Sequence, residues 1–411
     1  MKYSFFTLFA LVSTFTFAQI TGTVTSDKNE PLPVVNIFIE NTYNGTTTNN
    51  DGNYVLELSK TGDYTVTFQY LGYKTLKKKV SIDKFPFVLD VVLTEEDINL
   101  DEVVINSEEN PANEIIRQTI AKRKDNLNRL EAYKANFYSR GLLQLVDVPE
   151  KILGQEIGDL EGALDSTRSG IVYLSETISK LEYLSPKPIK ETITASKISG
   201  NSNGFSFNNA TDVEFNFYKN TFELGSEIVS PISDFAFNYY KFKLIGTFYD
   251  DLGNLINKIE LLPKRKNDKA FGGYIYIVED QWSLFGTDVT LTGQQAQIPA
   301  VDLFNIKQTF TYYDTDKLWV KTTQLFDFKF GIFGIKGDGR FTAAYSDYDF
   351  NPNFDKKNFG REILSFEDHA NKKDSVFWEE KRPVPLTNAE VEDYIRKDSI
   401  QLVRESKPYL D

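Results

Sequence analysis

His369 is the single histidine of the sequence, and it stands in Phe366-Glu367-Asp368-His369 with Ser365 and Asp374 close by. Serine, histidine and aspartate are the side chains of an acyl-transfer triad, in which the imidazole takes the serine proton and the carboxylate orients the imidazole. A triad requires convergence in space, which closeness in sequence does not supply, so His369 is read as an exposed loop residue. Cysteine is absent. That removes thiol catalysis, disulfides, Cys-ligated zinc, iron–sulfur clusters and a lipidated N-terminal cysteine. Asp and Glu number 59, but nothing singles out two of them for glycoside cleavage. There is no P-loop and no strand–GxGxxG–helix unit, and Gly334-Ile335-Lys336-Gly337-Asp338-Gly339 reads as a turn. Asn49-Asn50-Asp51-Gly52 lacks the alternating carboxylates and late Glu of a calcium loop and is read as a tight turn. Asp250-Asp251 is a turn that could hold calcium or magnesium only weakly. No catalytic residue, cofactor site or metal site is assigned, and the chain is expected not to be an enzyme.

Charge narrows the partners. The 411 residues carry 46 Lys and Arg against 59 Asp and Glu, a net charge of −13. Such a chain is a poor match for nucleic acid, whose phosphates require a basic face. One basic run, Arg117, Lys122, Arg123 and Lys124, is read as the solvated side of a helix, although it has the chemistry to touch phosphates or lipid headgroups.

The elements that position these residues begin with an address. Residues 1–18, MKYSFFTLFALVSTFTFA, place Lys2 before an apolar block from Phe5 to Phe17 and end on a small residue. This is the pattern of a secretory leader cleaved between Ala18 and Gln19, and it is shorter than the roughly 20 apolar residues of a membrane span. No later window has the length and apolarity of a transmembrane helix. An aromatic-rich (14%), cysteine-free exported chain is expected in the periplasm or outer membrane of a Gram-negative cell.

Residues 19–96 alternate with a period of two: Val35, Ile37 and Ile39; Tyr54, Leu56 and Leu58; Tyr64, Val66, Phe68 and Tyr70; Phe87, Leu89, Val91 and Leu93. Six or seven short strands predict a β-sandwich. Ile20-Thr21-Gly22-Thr23-Val24, Pro31-Leu32-Pro33-Val34-Val35-Asn36-Ile37, Gly45 to Tyr54 with its Asn-Asp-Gly turn, and Leu71-Gly72-Tyr73 together resemble the carboxypeptidase-regulatory-like domain, a transthyretin-like sandwich. The resemblance implies an accessory or docking module of the kind that precedes outer-membrane transporters and barrels. It does not imply a peptidase, because the peptidase partners of that module use two histidines and a Glu on zinc.

Residues 97–110 read as an acidic linker with one apolar island, Leu100-Asp101-Glu102-Val103-Val104-Ile105. Asp101, Glu102, Val103, Val104 and Ile105 resemble the segment that follows this sandwich in TonB-driven transporters, where it adds a strand to the energising protein. The same residues are also readable as the last edge strand of the sandwich.

Residues 111–350 are expected to form a helix from Pro111 to about Leu130, with Ile115, Ile116, Ile120 and Leu127 inward, followed by a large antiparallel sheet. Strands are predicted at Tyr133–Gln144, Gly170–Thr177, 240–248, 256–263, Gly273–Val278, Gly286–Thr292, Ile306–Tyr313, Leu318–Phe330 and Asp338–Tyr345. They are separated by turn residues, as in a hairpin meander with one apolar and one polar face. The phrase Phe271-Gly272-Gly273-Tyr274-Ile275-Tyr276-Ile277 with Trp282 resembles the half-barrel of outer-membrane lipoprotein-sorting carriers, a curved sheet around a helix. Asn110-Pro111-Ala112-Asn113-Glu114-Ile115-Ile116, Tyr173-Leu174-Ser175-Glu176 and Lys197-Ile198-Ser199-Gly200 extend the likeness. The whole resembles envelope proteins with this sandwich, an uncharacterised (DUF5686-type) middle domain and an outer-membrane barrel. A barrel is not legible in residues 1–411. Charges such as Lys258, Glu260 and Lys264 suit a soluble sheet better than a lipid-facing one. Residues 351–411 read as a connector with a helix opened by the capping box Thr387-Asn388-Ala389-Glu390.

The fold class expected is therefore mainly β with α+β elements: a sandwich, then a curved antiparallel sheet with one packed helix. The expected function is that of a non-enzymatic envelope protein, docking or accessory at the outer membrane, with an outer-membrane protein or barrel and a TonB-like protein as partners. The alternative is a periplasmic binder holding an acyl chain or lipoprotein in a half-barrel groove. That alternative predicts an apolar concavity with a gap under the helix.

Overall fold

Period-two alternation folds as expected into two facing sheets. The computed structural model describes residues 18–98, 110–160, 162–201, 206, 208–354 and 359–406. In the first part, β1 (Gln19–Ser26), β2 (Asn36–Ile39), β3 (Gly45–Thr47), β4 (Asn53–Glu57), β5 (Gly62–Gln69), β6 (Leu76–Ile82), β7 (Phe87–Val88) and β8 (Val91–Leu93) follow in order. One sheet runs β4–β1–β7, with β8 also on β1, and the other runs β3–β2–β5–β6. Ile20, Val24, Ile37, Tyr54, Leu56, Val66 and Phe68 fill the space between them. Gly52 turns the chain at φ +77°, where an added Cβ would lie 2.4 Å from the Val24 carbonyl. Only glycine fits both the angle and the space. The lysines of β6 hid it from the alternation. They sit on an edge strand, where charge blocks further pairing.

The helix expected at Pro111 is α1 (Pro111–Asn128). The Asn110 side chain accepts the Ala112 N–H at 3.0 Å, and Ala112, Ile115, Ile116 and Thr119 face inward. Arg123 corrects the expected solvated face. It is buried, its guanidinium donates to the Tyr218 carbonyl at 2.6 Å, and it pairs with Asp234 at 2.9 Å. The chain around residues 217–234 crosses that flank of the helix and takes it out of water, while Lys122 and Lys124 stay exposed.

The sheet is built from β9 (Ala132–Val146), β12 (Gly170–Leu184) and β13 (Lys190–Ile198), with the small hairpin β10 (Lys151–Ile152) and β11 (Gln155–Glu156) between the first two. A second hairpin, β14 (Thr221–Leu224) and β15 (Ser226–Val229), and the turn α2 (Ala236–Tyr239) lead into the meander. The meander is β16 (Tyr240–Tyr249), β17 (Leu255–Pro263), β18 (Gly272–Val278), β19 (Ser283–Thr292), the short α3 (Gly293–Ala296), β20 (Val301–Tyr313), β21 (Leu318–Ile332) and β22 (Ile335–Asp349). Then come β23 (Leu364–Phe366), α4 (Ser375–Lys381) and α5 (Asn388–Arg404). The eleven strands are ordered β16-β17-β18-β19-β20-β21-β22-β9-β12-β13-β23, antiparallel except where β23 runs parallel to β13. Thus the meander closes on the strand that precedes it in sequence, and β9 lies between β22 and β12.

Both faces of this sheet are covered. Side chains alternate along a strand: Ser139 donates to the Asn208 carbonyl on one side, and Arg140, next in β9, reaches Pro385 and Glu390 on the other. The first side carries α1 and the chain through residue 239. There Phe215, Phe217, Phe222, Ile228 and Ile232 pack with Ile115, Ile116, Phe271, Ile275, Val289 and Ile306. The second side is the polar face foreseen from the sequence, but it is not wet. The sandwich and the segment from α4 through α5 lie on it, so Tyr138, Arg140, Glu176 and Thr311 are buried.

Candidate interaction site on the polar face

Glu176 stands in the middle of β12 with no exposed surface. Arg382, arriving just after α4, grips it with two bonds, Nε to Oε1 at 2.7 Å and an Nη to Oε2 at 2.8 Å. The Tyr138 hydroxyl donates to Oε1 at 2.7 Å and the Tyr394 hydroxyl to Oε2 at 3.1 Å. Arg140 lies 3.4 Å from the same carboxylate and 3.0 Å from Glu390. Glu390 is also the return residue of the α5 capping box, accepting the Thr387 N–H at 2.8 Å. One carboxylate therefore caps a helix and holds an arginine of the sheet.

Burial pushes the Glu176 carboxyl up, but Arg382 and then Arg140 outweigh it and hold it at about 2. Burial pushes the Tyr138 hydroxyl well above its ordinary range. Both carboxylate oxygens of Glu176 are already engaged. The arrangement clamps the C-terminal segment to the sheet; it is not arranged for acid–base chemistry.

The sandwich docks beside the clamp. The Asn36 amide donates to the Thr311 hydroxyl at 2.8 Å, that hydroxyl donates to Gln69 Oε1 at 2.9 Å, and the Gln69 amide donates to the Phe310 carbonyl at 3.2 Å. The Asp347 N–H meets the Tyr43 carbonyl at 2.8 Å, and Arg340 meets Asn50. Lys77 bridges to Asp251 at 2.8 Å. Between the sandwich, the polar face and α4 a cleft of about 480 Å³ stays open, with Thr46, Glu57, Asn136, Lys180, Phe377 and Lys381 among its walls. Its charges pair across the gap, Lys381 with Glu57 at 3.6 Å and Lys180 with Glu367 at 3.8 Å.

The residues singled out from the sequence are scattered around this arrangement. Gln19 opens β1, and the Ala18 carbonyl accepts the Leu58 N–H at 2.8 Å. Asp101, Glu102, Val103, Val104 and Ile105 lie outside the described residues. His369 is exposed in a left-handed turn. Ser365 bonds Thr192 at 3.1 Å, and Asp374 caps α4. Ser365 and Asp374 are thus each engaged with other residues. In the Asp51 turn, Asn49 Oδ1 accepts the N–H groups of Asp51 and Asn53, which accounts for the turn locally. In the Asp250 turn, Oδ1 accepts the N–H groups of Leu252 and Asn254. Sequence reasoning missed the clamp. Its one legible signal is a Glu flanked by small and apolar strand residues, Tyr173-Leu174-Ser175-Glu176-Thr177-Ile178.

The family model described as Family of unknown function (DUF5686) matches residues 115–348, from within α1 to within β22. The chain belongs to this family. The match takes in the meander, β9, β12 and β13, and the segment that fills the first face, so the sheet is the DUF5686 part of the molecule. A CarboxypepD_reg-like domain model matches residues 20–105, which include the sandwich. The TonB-dependent receptor P39 of Formosa agariphila is 35% identical over 106 residues, 24% of this chain and 10% of the receptor. The chain thus matches a tenth of that protein's length. Among solved structures, an outer membrane lipoprotein-sorting protein domain from Vibrio parahaemolyticus is 11% identical, with 63% of this chain and 100% of that one covered at a TM-score of 0.24. A LolA superfamily protein from Nitrosomonas europaea is 9% identical, with 62% and 99% covered at a TM-score of 0.22. No helix among the described residues is long and apolar enough to cross a membrane.

Proposed function

We infer that this DUF5686 protein is a non-catalytic docking protein of the Gram-negative envelope, working at the outer membrane. The observation that carries the reading is the use made of the two faces. On one, aromatic side chains occupy the space where a ligand would lie, with Phe217 and Phe222 rings 5.2 Å apart and Phe222 stacked on Phe271 at 5.4 Å. On the other, buried polar groups hold the sandwich and the C-terminal segment against the sheet. The alternative, an acyl chain or lipoprotein seated under α1, would need the first space empty, and no observation favours it. In this reading residues 1–18 are a leader, 19–96 the docking sandwich, 97–110 a linker, 111–350 the sheet domain and 351–411 the tail. Asp101 to Ile105 are offered to a TonB-like protein by strand addition. Support for an outer-membrane setting comes from the leader pattern and from the relative named a TonB-dependent receptor.

Fractionation of a Gram-negative host expressing the tagged chain tests this. The protein is expected with the outer membrane and cross-linked to an outer-membrane protein. The change Val103→Pro is expected to remove any cross-link to a TonB-like protein while leaving the first one. Recovery from the cytoplasm with Met1 retained would overturn the reading.

A further inference from the structure

Two neighbouring hairpins at one end of the sheet are built alike. In β10–β11 the turn is Leu153-Gly154, and in β21–β22 it is Phe333-Gly334. Leu153 and Gly154 have φ of +51° and +84°, Phe333 and Gly334 +51° and +86°. Two left-handed residues in a row make the type I′ hairpin turn, whose first position favours Asn, Asp or Gly. A leucine or phenylalanine there is a costly choice for the turn itself. These two are also the most exposed large apolar side chains among the described residues, Leu153 at 88% and Phe333 at 72%. Neither local conformation nor the core accounts for them.

The tips stand on a rigid base. Leu145, Val148 and Leu164 pack with Phe330 and Ile335 beneath both hairpins. Arg168 bonds the carbonyls of Val148 and Ile157 at 2.7 and 2.8 Å, and those of Pro149 and Gly158 at 3.3 Å. The second tip lies beside the chain that leads into the first hairpin: a Cβ on Gly334 would lie 3.7 Å from Pro149 Cγ. Behind each tip is a charged collar, Lys151 and Glu156 on the first hairpin and Lys336 on the second, where Lys329 and Asp338 face each other two residue pairs further back. At about 3.3 Å per residue, the tips stand about 7–10 Å from Lys151, Glu156 and Lys336, and about 13 Å from Lys329.

We propose that this end of the sheet inserts into the surface of a lipid bilayer, with Leu153 and Phe333 as the inserting side chains. This deepens the envelope reading and rests on it. Apolar groups of interfacial proteins sink about 5–10 Å, to the boundary between headgroups and acyl chains. That depth matches the distance from tip to collar, and lysines at the collar can keep their ammonium groups in the headgroup layer while their stems lie along the apolar part. Separate convex tips suit a fluid surface, whereas a protein partner would have to supply two matching pockets. Asp147, Glu150 and Asp159 stand among the lysines, so binding rests on apolar insertion and does not require anionic lipid.

The test is flotation of the chain beginning at Gln19 with uncharged phosphatidylcholine vesicles. The protein is expected to float, and the double change Leu153→Asp with Phe333→Asp to cut the bound fraction by about tenfold or more. Val88→Asp, at an exposed apolar position on the sandwich, should leave it unchanged. A Phe333→Trp variant should be quenched by brominated lipid beyond the signal of the native tryptophans, a readout that does not depend on the Asp variants folding. Wild-type protein that stays in solution, or Asp variants that are folded and float equally, would overturn the proposal. So would tips that instead drive self-association seen by light scattering without vesicles. Flotation together with recovery away from the outer membrane in cells would uphold this inference and overturn the proposed function.

Discussion

Glu176 is a charge that the interior would reject if it stood alone. Desolvating a carboxylate costs several kcal/mol, and the cost is recovered only when geometry and hydrogen bonds are good. Here two arginines and two tyrosine hydroxyls provide them. Removing one partner of such a group typically costs about 3–5 kcal/mol, so Glu176→Ala, which leaves Arg382 without its carboxylate and Arg140 with Glu390 alone, is expected to lower the melting temperature sharply in circular dichroism. A melt of the variant within a degree of wild type would show that the clamp does not stabilise the fold. The pH dependence follows from the depressed carboxyl. Its contribution is fully present above its ordinary value of 4.5 and is lost as pH falls towards about 2. Wild-type stability is expected to drop through that window, and Glu176→Gln to lie lower at neutral pH with a shallower acid limb. Nothing in the sequence around Glu176 gives away its partners, because they come from positions 138, 140, 382 and 394 and meet only when α4 and α5 fold back.

Where strands alternate and end in Gly, Asp and Asn, the elements were legible in advance. The meander from β16 to β22 and the four alternating runs of the sandwich follow the pattern closely. β6 and β13 were not, nor were the short strands β3, β10, β11, β14, β15 and β23. In β6, Lys77-Lys78-Lys79 break the period because the strand is an edge. In β13, Glu191 sits on a buried position, satisfied by the Ser179 hydroxyl at 2.6 Å and the Ala210 N–H at 2.7 Å. Polar residues buried on both sides erase the contrast that periodicity depends on. Arg123 was misjudged for the same reason: a crossing segment, not the helix, decides which face is wet. Close approach between elements is also invisible in sequence. Gly286 in β19 meets Leu71 of the sandwich, and a Cβ there would lie 2.4 Å from Leu71 Cδ2. Gly286→Val should therefore destabilise by about 1–3 kcal/mol through overpacking, and adding Leu71→Ala should recover part of it. A strictly additive double variant in urea unfolding would refute the contact.

At the scale of the whole chain, the first expectation concerns its beginning. The leader pattern places the mature N-terminus at Gln19, the first residue of β1. N-terminal sequencing of the envelope fraction should start there, and a start at Met1 would contradict export. The second expectation concerns how sandwich and sheet behave together. Residues 97–110 are acidic and mostly polar, the composition of a segment between two folded units, and limited proteolysis is expected to cut there first. Yet the two units share buried hydrogen bonds through Asn36, Gln69 and Thr311, and Leu71 packs among the sheet's own core residues. Separating the units would also return Leu71 and the apolar residues it packs against to water, which is unfavourable in proportion to the area exposed. The cut pieces should therefore remain associated and co-elute in size exclusion. Leu71→Asp places a carboxylate against Gly286 and the apolar cluster. In that variant the same cut should release the sandwich as a separate peak. If wild-type pieces separate as soon as the linker is cut, the polar face does not hold the sandwich, and the docking geometry on which the proposed function stands would have to be abandoned.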